Sequence, residues 1–132
     1  VTPSQATVAR LLAAADRNLV DASLPALSAE NRFDAAYKAI MQAAMVALHT
    51  NGYRPLTSRP GHHQTAIQSL IHTIGLPADA VIVLDALRKQ RNLSDYDGDP
   101  VSEKTVSDCI ASAQALVKQV RDWLRTQRPD LL

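Results

Sequence analysis

The segment AENRFDAAYKAIMQAAMVALHTNG, residues 29–52, constrains this chain most. Phe33, Tyr37, Ile40, Ala44 and Leu48 recur at steps of three or four, and Ala36, Ala43 and Ala47 widen the stripe. That spacing predicts a long helix with one broad apolar side. Ser28 is placed to cap it, Glu30 and Asp34 lie where the helix dipole favours negative charge, and Gly52 marks its stop. A stripe built so largely of alanine asks for closely approaching helical neighbours. The rest of the chain agrees: aromatic residues are only 4% of the total, whereas strands are enriched in aromatic and β-branched residues.

Four further helical segments follow from the same periodicity. SQATVARLLAAADRNLVDAS sets Val8, Leu11, Leu12, Ala15 and Leu19 on one face behind a capping Ser4. YRPLTSRPG, with two prolines and a glycine, reads as a loop. HHQTAIQSLIHTIG gives a third helix with Ile67, Leu70, Ile71 and Ile74 on its apolar side and Gly75 as its stop. After Pro77, ADAVIVLDALRKQRNLSDY gives a fourth. Its run Val81 to Leu84 is apolar all round and predicts a central helix, with a buried strand as the rival reading. DGDP ends it. Ser102 caps the fifth, whose stripe is Val106, Ile110, Ala113, Val117, Val120 and Leu124, with Trp123 beside its end. The expected fold class is all-α: an up-and-down bundle of four to five helices forming one domain over residues 1–132. Helices two, four and five should share a core of Phe33, Tyr37, Ile40, Leu48, Leu84, Leu87, Ile110 and Val117.

Bulk properties exclude several classes. Hydrophobic residues are 46% and charged residues 20%, enough for a core and too apolar for a disordered tail. The net charge of +1 excludes a uniformly basic glove for nucleic acid, so any such contact must be local. No run approaches the length of a membrane span and no secretory signal opens the chain, so a cytoplasmic protein with no membrane partner is expected. Cys109 lies in an apolar helical pattern and reads as a buried, inert thiol.

The chemistry concentrates in LRKQRNLSDYDGDP, residues 87–100. On a helix, Arg88, Arg91 and Asn92 are neighbours. If the helix frays after Arg91, Tyr96 can fold back towards it. Arginine binds phosphate bidentately, and Asn and Tyr add further donors and acceptors, so the set fits a phosphate or an RNA backbone. The competing reading is internal: Arg91 pairs with Asp95 or Asp97, and Tyr96 packs on the next helix. Spacing alone leaves both open.

RFDAAYKAIMQAAMVALHTNGYRP, GHHQTAIQSL, LRKQRNLSDYDG and a long last helix, in that order, resemble the HEPN family of small helical proteins over roughly residues 28–124. The resemblance implies a helical bundle that dimerises. It also implies kinship with RNases that need no metal or other cofactor, in which an Arg holds the scissile phosphate and a His four to six residues later moves a proton. Arg91 and Asn92 match that signature, and Tyr96 stands where the His is expected. A phenol titrates near pH 10 and is a poor base at neutral pH, so the phosphate-binding half survives and the status as an endoribonuclease is uncertain. Related branches carry Arg-Asn and Asp-Tyr here and pair with small nucleotidyltransferases in toxin–antitoxin-type systems. The resemblance thus implies a homodimer, a nucleotidyltransferase partner and an RNA or nucleotide ligand, with Arg91 and Tyr96 as catalytic candidates and Arg88, Arg91 and Asn92 on the phosphate. A non-catalytic structural or interaction module is the alternative.

Two other groups are weaker. His62, His63 and His72 lack the spacing and companion ligands of a metal site, although His62 or His63 is a candidate substitute base. Arg121, Arg125 and Arg128 read as solvated charges favoured at a helix C-terminus, with a basic strip for RNA as the minor reading.

Overall fold

The computed structural model describes residues 2–54 and 60–132. Its elements are α1 (Gln5–Ala22), α2 (Ala29–Thr50), α3 (His62–Gln68), α4 (Leu70–Thr73), α5 (Ala78–Asp97) and α6 (Glu103–Gln127), followed by a short 3₁₀ turn, Pro129–Leu131. Among the described residues there is no strand, and Val81 to Leu84 is helical. Part of the predicted loop YRPLTSRPG, residues 55–59, lies outside the described residues.

The helix starts follow the capping chemistry. Ser4, Ser28 and Ser102 each accept, through Oγ, the backbone N–H three residues on, at 3.2, 3.1 and 3.1 Å. Gly52 (φ 85°) follows the last residues of α2, and Gly98 (φ 71°) terminates α5, both in the left-handed region that favours glycine. The third predicted helix is interrupted. Ser69 turns its hydroxyl back to the Ala66 carbonyl at 2.7 Å, and α4 restarts after it. Ile71, assigned to the apolar side, is 40% exposed as a result, and Thr73 is buried instead.

The central helix is α2, and not α5 as the apolar run Val81–Leu84 suggested. Buried residues surround α2: Phe33, Tyr37, Ile40 and Leu48 on the predicted stripe, and Ala35, Ala39, Met41 and Val46 off it. Its largest interfaces are with α1 and α6, while α3, α4 and α5 cover the remainder. By contrast, α5 buries only Val81, Leu84 and Leu87, and leaves Ile82 and Val83 69% and 50% exposed. It scarcely touches α6; an apolar groove of about 250 Å³ lined by Leu76, Val83, Leu84 and Leu116 separates them. The predicted core residues fall in one cluster, with Ile110 at its partly buried margin, and α1 joins it through Val8, Leu12 and Ala15. Cys109 is fully buried, and burial pushes its thiol up to about 12. No helix among the described residues is long and apolar enough to cross a membrane.

Ala44 is fully enclosed on α2. Ala44→Leu should therefore lower unfolding free energy by about 1–3 kcal/mol through overpacking, read from urea denaturation. Ala13→Leu, on the exposed side of α1, should stay within about 0.5 kcal/mol of the parent.

Candidate phosphate-binding site

The inner face of α5 changes character along its length. Val81, Leu84 and Leu87 are buried, and one turn later Arg88 and Arg91 occupy the same side. Their side chains are only 15% and 24% exposed, against 69% for neighbouring Lys89. Two arginines on an inward stripe must be compensated. Asp85 Oδ1 accepts from Arg88 Nε at 2.8 Å, and Lys89 reaches its other oxygen at 3.5 Å. Asp95 Oδ2 lies 2.8 Å from Arg91 Nε, and Asp34 on α2 lies 3.9 Å away, itself shared with Lys38. The Arg91–Asp95 contact is an ion pair by distance, but the Nε–H is not aimed at the oxygen, and Nε is a buried donor without a hydrogen bond. The Arg91 guanidinium also lies 5.6 Å from the ring centroid of Tyr37, a cation–π contact.

Tyr37 connects the arginines to α3. Its hydroxyl is 3.0 Å from His63 Nδ1, and the His63 and His62 rings meet edge-on at 4.5 Å. Burial pushes the Tyr37 phenol up to about 12, against the opposing pull of Arg91 and Arg88. The hydroxyl therefore stays protonated at neutral pH, and it donates to Nδ1 or accepts from Nδ1–H according to the tautomer of His63. His63 is held below the ordinary imidazole value, first by burial and then by His62, Arg91 and Arg88. Neutral His63 accepting at Nδ1 carries its own proton on Nε2.

These side chains enclose a recess of about 160 Å³ lined by His62, His63, Gln64, Arg88, Arg91 and Asn92, with Gly61 at its edge. Among the described residues, none accepts a hydrogen bond from the Nη groups of either arginine in this recess, and Asn92, Gln64 and His63 Nε2 also lack a protein partner. The carboxylates hold the arginines at Nε and leave the terminal nitrogens available.

Arg88, Arg91 and Asn92 thus come together as expected, and His62 and His63 join them. Tyr96 does not. It is 79% exposed, neither folded back on Arg91 nor packed on the next helix. The reason is helical phase: α5 continues to Asp97, and five residues at about 100° each place Tyr96 about 140° around the axis from Arg91. Asp95, one step earlier, takes the place beside Arg91. Sequence reasoning assigned Tyr37 to the core and missed its role as a bracket between Arg91 and His63. The available signal was its polar tip, because a buried tyrosine hydroxyl requires a partner.

The other sequence candidates resolve simply. Arg121 forms a two-pronged pair with Asp16 at 3.1 and 2.7 Å, Arg125 pairs with Asp122, and Arg128 with Asp130. Each cation is tied to a carboxylate, which leaves no open basic strip among them. Among the described residues no group of three or more His, Cys, Asp or Glu is arranged to hold a metal ion. No protein-family model matches this chain, and no curated protein matches it.

Tyr37 gives a pH test. Its raised pKa means that its contribution to stability is complete below pH 10 and is lost as pH rises through about 12. The stability of the parent relative to Tyr37→Phe should fall by about 1–3 kcal/mol across that interval, measured by denaturation at successive pH values.

Proposed function

We propose that this chain is a HEPN-like bundle that binds the phosphate of a nucleotide or RNA in the recess between α3 and α5. In this reading it is a degenerate relative of metal-independent RNases, or the toxin–antitoxin-type partner of a nucleotidyltransferase. The observation that carries the reading is the convergence of Arg88, Arg91 and Asn92, with donor groups that have no partner among the described residues, beside His62 and His63. A recess of about 160 Å³ is well below the ~300–1,000 Å³ of sites that engulf a small molecule, so it suits a phosphate whose sugar and base remain outside. The nearby charges nearly cancel: Arg88, Lys89 and Arg91 face Asp34, Asp85 and Asp95, with Asp34 shared with Lys38. Recognition then rests on short-range charge-assisted hydrogen bonds rather than on a long-range field.

Assembly as a two-fold dimer completes the proposal. The outer side of α5 presents Ile82, Leu93 and Tyr96, at 69%, 43% and 79% exposure, with Ala86 exposed between them. Such a stripe suits a second copy of the same helix, which would bring the two recesses near a shared face. The same stripe also favours the purely structural alternative, in which assembly is the whole function and Arg91 serves only its ion pairs.

Two measurements separate these readings. Arg91→Ala should weaken binding of a short labelled single-stranded RNA by tenfold or more in fluorescence anisotropy, since a charge-assisted hydrogen bond contributes about 1.5–3 kcal/mol, while the melting temperature changes little. A parent with no RNA affinity, combined with a stability loss of about 3–5 kcal/mol in Arg91→Ala, would leave only the structural role. In sedimentation at micromolar concentration the parent should have the mass of a dimer, and Ile82→Asp with Leu93→Asp that of a monomer. A monomeric parent sinks the dimer.

A further inference from the structure

We propose that the recess takes up a phosphate group and a proton together, with His63 carrying the proton. This deepens the phosphate-binding reading and rests on it. The geometry supplies both halves. His63 lines the same recess as Arg88, Arg91 and Asn92, and its Nδ1 is committed to the Tyr37 hydroxyl at 3.0 Å. Nε2 has no partner among the described residues, and it bears the ring proton in the tautomer whose Nδ1 accepts from Tyr37.

A second proton from solvent therefore arrives at Nδ1. The Tyr37 hydroxyl can reverse its role, accepting from Nδ1–H in place of donating to it. The ring becomes an imidazolium without breaking that hydrogen bond, and Nε2–H remains available to a phosphate oxygen.

The charges around His63 explain why the empty recess resists this step and an occupied one favours it. From α3, His62 adjoins the ring; from α5, Arg88 and Arg91 oppose a further positive charge; from α2 comes only the neutral Tyr37 phenol. Asp34, Asp85 and Asp95 lie against the two arginines and are not among the groups that shift His63. A bound phosphate would set negative charge beside the histidine and the arginines and remove most of the repulsion. The burial cost remains, so the restored value should approach that of an ordinary imidazole without greatly exceeding it. His63 is thereby a second phosphate ligand whose strength depends on pH. Tyr96, 79% exposed and about 140° around α5 from Arg91, has no part in it.

The test uses a dinucleoside monophosphate, whose phosphodiester does not itself titrate between pH 5.5 and 8 by the general chemistry of such esters. The His63 ring proton is followed by NMR through that range, with sodium chloride matched in ionic strength as the reference. At saturating dinucleotide the His63 pKa should rise towards that of an ordinary imidazole, and by linkage the affinity should rise roughly fivefold from pH 8 to pH 5.5. His63→Gln should flatten that affinity ratio to near one, whereas His72→Gln, exposed and outside the recess, should retain it. A dinucleotide that binds without moving the His63 pKa, or a ratio that survives His63→Gln, overturns the proton coupling and leaves the phosphate site standing. A dinucleotide that does not bind at any pH, or that binds Arg91→Ala as tightly as the parent, overturns the site and the coupling together.

Discussion

Burial of α2 on all but its Lys38 side sets the terms for everything around it. A helix enclosed by several neighbours can accept them at close range only where its buried side chains are small, and Ala35, Ala36, Ala39, Ala43, Ala44 and Ala47 meet that condition. The few large residues then become fixed points. Phe33 and Ile40 are apolar and settle into the core. Tyr37 is equally buried but carries a hydroxyl, and a hydroxyl in such surroundings costs stability unless bonded. His63 satisfies it from α3, and Arg91 covers the ring from α5. The candidate site exists where the alanine-rich helix of the bundle has its one fully buried large side chain with a polar tip.

The arrangement of charge follows a second constraint. Arg88 and Arg91 lie on the inner stripe of α5, where an unpaired cation would be costly. Asp85 and Asp95 neutralise them from the same helix at steps of three and four, so compensation is local and independent of how the helices pack. Their contacts fall on Nε, the one guanidinium nitrogen that points back along the side chain. The terminal nitrogens are left over as a rigid, nearly neutral donor array. Such an array discriminates by geometry and by hydrogen bonding, and the overall charge of +1 provides little long-range attraction to help it.

The helix phases were legible in the sequence because they depend on local chemistry: Ser4, Ser28 and Ser102 cap, Gly52 and Gly98 stop, and the apolar stripes repeat. The order of burial was less legible. Val81–Leu84 is the more hydrophobic run, yet it is the alanine-rich helix that lies at the centre, because close approach is decided by side-chain size rather than by hydropathy. The Ser69 break depends on a side-chain bond that competes with the helix and leaves no periodic trace. For the site, spacing on one helix placed Arg88, Arg91 and Asn92 together. It could not place His63, on an earlier and different element, because that neighbourhood is created only by tertiary packing against Tyr37.

The position of Tyr96 follows from the same helical geometry and divides the labour of α5. Continuation of the helix to Asp97 carries Tyr96 to the outer side with Ile82 and Leu93, while Arg88 and Arg91 remain on the inner side. A single helix thus has one face of paired charges turned to α2 and α3, and one outward face that sets Ile82, Leu93 and Tyr96 around Lys89. In the proposed reading the inner face handles the phosphate and the outer face handles assembly. A histidine at residue 96 would stand on the assembly face of its own chain, out of reach of its own Arg91. Proton chemistry at the inner face must then come from another element, and His63 is the titratable side chain that the packing of α3 against Tyr37 brings there.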